Sequence, residues 1–252
     1  MNRKPTPRLT DFEALTFDCY GTLIDWEAGI WDAFQPLILE NGGSGPARDA
    51  LLEAFGRFES RRQTATPGML YPEVLCRVHR DLAQHFGLET TARLDLEFGR
   101  SISHWPAFPD SAEALRFLKS RFRLFVISNV NRAGFAASHR KLGVVFDAVY
   151  TAEDIGSYKP DIANFEYLLR ELQADFGLGK TAILHTAQSL YHDHIPAASV
   201  GLATAWIDRQ RLSESGKWGA TRESSERPDA NYLFFSLREM ANAVKAEEEA
   251  GA

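Results

Sequence analysis

The spacing of hydrophobic positions changes twice along the chain. Residues 14–19 (ALTFDC) form a short apolar run of buried-strand type that leads straight into Tyr20-Gly21-Thr22. From Trp26 the period becomes helical: Ile30, Phe34, Leu37 and Ile38 fall on one face, and Asn41-Gly42-Gly43 supplies the stop. Leu51, Ala54, Phe55 and Phe58 repeat the pattern, and so do Val74, Leu75, Val78 and Leu82 after Pro72. From about residue 27 to residue 103 the chain predicts helices only, roughly four of them.

Past Trp105-Pro106 the pattern changes again. Asp110, followed three residues later by Glu113, predicts a capped helix start, and that helix leads into the continuous apolar run 124–128 (LFVIS). Strand-like runs then alternate with helical spacing: 144–150, a helix near 162–173, then 182–185, 202–207 and 232–235. Such alternation predicts an α/β protein with a doubly wound parallel sheet covered on both faces. The helical block after the first strand is expected to be a cap. The chain then divides into a core of residues 1–26 and 104–252 and a cap of residues 27–103. Residues 210–227 are polar with scattered Gly and Ser and predict a surface loop, and the tail 246–252 (AEEEAGA) predicts a frayed end.

Composition removes several classes of function. A length of 252 residues suits one large domain, or a core with one modest insert. The 28 Lys and Arg against 34 Asp and Glu give a net charge of −6, with no basic segment to release counterions from a nucleic acid. Nucleic acid is not an expected partner. Two cysteines, Cys19 and Cys76, are too few for a disulfide framework and lie at no metal-finger spacing. Residues 1–10 carry basic residues and two prolines but no apolar run behind them, so a secretory signal is not expected. No stretch approaches the roughly 20 apolar residues that cross a bilayer. A cytoplasmic protein without a membrane partner is expected.

In an open parallel sheet, ligands bind beyond the carboxyl ends of the strands. The polar residues at those ends are Asp18 and Thr22 after the first strand, and Ser128-Asn129 after the second. Lys159 precedes a helix, and His185-Thr186-Ala187-Gln188-Ser189, with Asp193 a turn later, closes the run 182–185. Each has an ordinary reading: an Asp after a strand is commonly a turn or cap residue, Ser-Asn is turn chemistry, and Lys159 beside a proline fits a solvated loop. The site reading rests on the set.

That set resembles a known superfamily. Phe17-Asp18-Cys19-Tyr20-Gly21-Thr22-Leu23, Ser128-Asn129, Lys159-Pro160-Asp161 and the segment 188–193 are similar, in order and spacing, to the four motifs of the haloacid dehalogenase (HAD) superfamily. The resemblance covers nearly the whole chain and implies a Rossmann-like core with an inserted all-helical cap. The branch it most resembles is that of the type II (S)-2-haloacid dehalogenases. Superfamily phosphatases resemble one another in carrying a second aspartate two residues after the nucleophile, to protonate a leaving alkoxide. Here that position is Tyr20, a phenol with an ordinary pKa of about 10. Phosphatases also carry acidic metal ligands at the fourth motif, where this chain has Gln188 and keeps Asp193. Both departures favour loss of a halide, which needs no proton to leave.

The resemblance implies attack by Asp18 on the halogen-bearing carbon, giving an aspartyl ester that water then hydrolyses. It implies Asp193 as base or water-orienting group, and Lys159 as the cation that keeps Asp18 ionised. Thr22 and Ser128 are expected to donate to the substrate carboxylate or to Asp18, Asn129 to the halide, and Ser189 to assist hydrolysis. Tyr20 is expected to contact substrate. No cofactor and no metal are expected, and the partners are a 2-haloacid, its halide product and a homodimer mate.

The match fails at one place. The branch uses an arginine near the start of the second cap helix, which falls near Ala54 here. Arg57, Arg61 and Arg62 follow and are candidates for the substrate-binding cation, against their ordinary reading as solvated residues. His185, His192 and His194 invite a metal reading, but His192 and His194 flank Asp193 at a spacing that points them apart. One histidine is expected to orient Asp193, the others to face solvent or a dimer contact. Trp105 and Trp206 are expected in core or pocket wall. Two alternatives stay open: a Mg²⁺-dependent HAD phosphatase, and a catalytically idle relative that binds.

Overall fold

A computed structural model describes residues 7–216 and 229–251 of the chain. The run ALTF, buried at every position, forms β1 (Ala14–Phe17). Helices follow: α1 (Trp26–Glu40), α2 (Arg48–Ala65), α3 (Tyr71–His85) and α4 (Ala92–Gly99). Asp25 caps α1 by accepting from the Ala28 N–H, and Thr91 caps α4 by accepting from the Leu94 N–H. Strand and helix then alternate through α5 (Ser111–Lys119), β2 (Arg123–Ser128), α6 (Arg132–Leu142) and β3 (Ala148–Thr151). The short α7 (Ala152–Ile155) and α8 (Ile162–Phe176) lead to β4 (Ile183–Ala187). A π-type turn, Leu190–His194, runs into α9 (Ile195–Ser199), followed by β5 (Ala203–Ile207), β6 (Tyr232–Phe234) and α10 (Leu237–Gly251).

Among the described residues the six strands pair in the order β3-β2-β1-β4-β5-β6, every pair parallel. β1 therefore lies between β2 and β4, where the direction of winding reverses and a crevice opens beyond the strand ends. Among the described residues the two largest apolar clusters flank the sheet. The larger joins Leu15 and Phe17 of β1 to Phe34, Phe55, Val78 and Phe98 of the helical insert, so the insert packs into the same core. A Cβ on Gly29 would lie 2.2 Å from Trp105 Cδ1, so only glycine lets α1 seat that ring.

The alternating class and the helical insert agree with the hydrophobic pattern, and three local expectations are corrected. The strand expected over 144–150 starts at Ala148, because Val145 is exposed and Asp147 turns its carboxylate to Lys119 and the Leu124 N–H. Asp110 makes no side-chain cap on α5. Its carboxylate instead accepts from the Leu237 and Arg238 N–H groups that open α10 and pairs with Arg209. The tail is helical to Gly251 rather than frayed: Glu247 accepts from the Thr10 N–H, and Glu248 pairs with Arg121. Of the loop expected over 210–227, residues 210–216 form turns, and the remainder lies outside the described residues. No helix among the described residues is long and apolar enough to cross a membrane.

Candidate active site

Backbone geometry delivers Asp18. The Asp18 N–H still pairs with Thr186 O of β4, after which the chain folds back so that Leu23 and Ile24 donate to Cys19 O. The turn needs Gly21 at φ +99°, where a side chain would be strained and its Cβ would lie 3.1 Å from Gln188 Oε1. Asp18 is thereby held at the crevice with both oxygens bound. Thr22 Oγ1 donates to Oδ2 at 2.7 Å, and Lys159 Nζ donates to Oδ1 at 2.8 Å.

Lys159 is buried and all three of its ammonium protons are committed: to Asp18, to Asp193 Oδ1 at 2.6 Å and to Ile127 O at 3.2 Å. Asn129 fixes the lysine loop reciprocally, accepting from the Lys159 N–H at 2.7 Å and donating Nδ2 to Lys159 O at 2.9 Å. Asp193 is also bound by His185 Nε2 at 3.1 Å, and the far ring nitrogen of His185 meets Thr16 Oγ1 at 2.9 Å. Burial alone would raise Asp193, but Lys159 and His185 hold its carboxyl well below the usual range. The two carboxylates keep Lys159 above the ordinary lysine value in spite of its burial. Asp18 goes the other way: burial, joined by Asp193, raises its pKa and outweighs Lys159 and Thr22. The lysine acts in the expected direction, toward ionised Asp18, and burial opposes it. A desolvated carboxylate is correspondingly poorly shielded.

Asp18, Tyr20, Asn129, Lys159, Ser189 and Asp193 line one pocket of about 80 Å³ beneath the helical insert. Thr22 and Ser128 are buried just behind it: Thr22 is spent on Asp18 and the Gln188 N–H, while Ser128 Oγ has no partner among the described residues. Asp193 Oδ2 is buried and unpartnered in the same sense. Tyr20 Oη lies 2.9 Å from Ser138 Oγ, and burial pushes its pKa well above 10. Of the three histidines, His185 holds Asp193 and His192 lines the pocket beside Ser189. His194, expected to face solvent or a dimer contact, is instead buried, bonded to Ala187 O and kept neutral with a pKa lowered to about 4. Trp105 is pocket wall, and Trp206 is buried and donates to Gln188 O.

The cap arginines are the main correction. Arg57 and Arg61 are exposed and lie over the Phe58 ring, and Arg62 pairs with Asp81. None of them is on the pocket wall. Their helix instead contributes Gly56, Glu59 and Gln63, which fall on one face at spacings of three and four. Glu59, Gln63 and Tyr71 were not anticipated from the sequence; the available signal was the i, i+4 spacing of Glu59 and Gln63 on one face of α2.

The donor set fits Mg²⁺ poorly. Asp18 and Asp193 are already bridged by an ammonium, and the Gln188 side chain donates to Gln210 Oε1 at 2.9 Å. Among the described residues no three His, Cys, Asp or Glu side chains gather to hold a metal ion.

Fold and site together define a hydrolase with a buried Asp18–Lys159–Asp193 cluster at its strand ends. The chain matches the family model for haloacid dehalogenase-like hydrolases over residues 12–183, and it belongs to that family. It is 26% identical over 212 residues to the (S)-2-haloacid dehalogenase H-109 of Pseudomonas putida, spanning 79% of this chain and 86% of that protein. An (S)-2-haloacid dehalogenase of Pseudomonas sp. strain YL is 24% identical over 222 residues, 83% of this chain and 90% of its own. The fold is shared with the L-2-haloacid dehalogenase of Xanthobacter autotrophicus solved with chloropropionic acid covalently bound. That pair has a TM-score of 0.75 at 16% identity, covering 93% of this chain and 98% of that one. It is shared also with the magnesium-bound HAD-hydrolase YfnB of Bacillus subtilis, at a TM-score of 0.73, 18% identity and coverage of 95% and 100%.

Proposed function

We propose that this hydrolase is a dehalogenase that displaces halide from a small organohalide through an ester on Asp18. The observation that carries the reading is Tyr20. A phosphatase uses an acid at that position to protonate the leaving alkoxide and then to activate water, and a phenol beside Ser138, its pKa well above 10, is far from the operating pH that both transfers favour. Halide departs without a proton. The (S)-2-haloacid dehalogenases among its relatives support the same chemistry.

In the first step one Asp18 oxygen attacks the carbon, and the bonding pair leaves with the halide. Thr22 and Lys159 aim the nucleophile, and the free second N–H of Asn129 Nδ2 is available to the departing anion. In the second step water attacks the ester carbonyl of Asp18, oriented by Asp193 Oδ2, an acceptor that lacks a donor among the described residues. The relatives, named as 2-haloacid dehalogenases, suggest a short 2-halo acyl skeleton as substrate, with the group on its carbonyl left to the pocket wall. No metal-dependent step is needed, and the unpaired Cys19 and Cys76 suit a reducing cytoplasm.

The test is halide release measured beside hydrolysis of p-nitrophenyl phosphate, each with excess EDTA or added Mg²⁺. Halide release unaffected by EDTA is expected, and Asp18→Asn is expected to lower it by about four orders of magnitude or more. A single turnover in H₂¹⁸O should label Asp18 rather than product. Phosphate release restored by Mg²⁺, with no halide released, would establish the phosphatase instead.

A further inference from the structure

The pocket's charge does not suit an anionic substrate. Asp18, Glu59 and Asp193 bring three carboxyl groups to its wall against one ammonium, Lys159, whose three protons are all engaged within the protein. His192, the other wall residue able to carry positive charge, has Nδ1 3.2 Å from Ser189 Oγ. Arginine is absent from the described wall. Glu59 is the charged side chain that α2 presents to the pocket, in place of its arginines. Its Oε1 accepts from Tyr71 Oη of α3 at 2.5 Å and from Gln63 Nε2 of its own helix at 3.2 Å, which fixes the carboxylate between the two helices. Its Oε2 has no partner among the described residues and is an acceptor open to a ligand.

We infer that Glu59 selects a substrate presenting a neutral N–H donor, so that the enzyme prefers 2-haloalkanamides to the corresponding 2-haloacids. The inference rests on the halide displacement proposed above and names its substrate class. A primary amide has the shape of a carboxylate, but its NH₂ donates to Glu59 where a carboxylate is repelled. The chemistry balances: Asp18 oxygen bonds to C2 as the C–halogen pair leaves with halide. Water oxygen then bonds to the Asp18 carbonyl carbon, the bond from that carbon to the substrate oxygen breaks, and that oxygen takes a proton. The products are a 2-hydroxyalkanamide, halide and one proton.

The experiment compares 2-chloropropionamide with 2-chloropropionate by chloride release, subtracting the rate of Asp18→Asn. In the wild type kcat/KM for the amide is expected to exceed that for the acid at least tenfold. Glu59→Gln should narrow the ratio at least tenfold, mainly through KM, with Tm recorded to verify folding. Inhibition of the wild type by propionamide and propionate gives the same comparison without a variant, the amide expected to bind at least tenfold more tightly. A wild type that turns over the acid as well as the amide, or equal inhibition by the two, overturns the inference and leaves dehalogenation standing. Chloride from neither compound overturns dehalogenation itself.

Discussion

At the scale of single residues the site divides between groups the motifs exposed and groups they could not, Glu59 foremost. Asp18, Lys159 and Asp193 were legible because each follows a strand or precedes a helix at a fixed place, and the structure joins them within 2.8 Å of one ammonium. Glu59 was not legible, because its importance depends on which face of α2 turns inward. Arg57 and Arg61 drew attention as cations, yet the helical phase that brings Gly56, Glu59 and Gln63 to the pocket carries those arginines to solvent. Glu59 also gives the pocket a titration. Burial pushes its pKa up to about 7 against the pull of the Tyr71 hydrogen bond. The ionisable groups facing it, Tyr71 and Tyr158, both stay protonated because burial raises them further. Glu59 is therefore neutral below about pH 7 and anionic above it. The ratio of amide to acid kcat/KM is expected to rise between pH 6 and pH 8 in the wild type and to stay flat in Glu59→Gln, as chloride release at each pH will report.

Among elements, the strands and helices followed from periodicity, and their ends followed less well. Periodicity reports which face is buried, not which partner a polar end residue finds. Asp110 is the instructive case: its spacing to Glu113 reads as a cap for α5, while its carboxylate serves the first N–H groups of α10, 127 positions away. The same carboxylate pairs with Arg209 at 3.0 Å, and that guanidinium donates to Thr22 O and lies 3.9 Å over Phe108. Asp110 thus ties α10 and the segment after β5 to the loop that carries the nucleophile. Asp110→Ala removes one partner of a largely buried pair, which costs about 3 kcal/mol or somewhat more. In a chain of this size that corresponds to a fall in Tm of about 6–12 °C. Asp110→Asn, which still accepts from the Leu237 N–H, is expected to lose about half as much, measured by thermal unfolding at pH 7.

For the whole molecule, the class of fold was readable and the strand order was not. Alternating strands and helices imply a parallel sheet, but that β1 pairs with both β2 and β4 is a property of the crossovers. That pairing brings the ends of β1, β2 and β4 to one crevice and so gathers four distant segments around Lys159. With Asp18 ionised, as its attack on carbon requires, Asp18, Lys159 and Asp193 form a buried cluster with two negative charges and one positive. Esterification cancels one of the negatives, and the covalent state alone leaves a matched pair in the interior. Hydrolysis must rebuild the surplus anion, so the second chemical step should be slower than the first. Rapid mixing of enzyme with excess substrate is then expected to show a burst of halide approaching one equivalent per active site before the steady rate sets in. A linear trace from the first milliseconds would mean that carbon–halogen cleavage limits turnover.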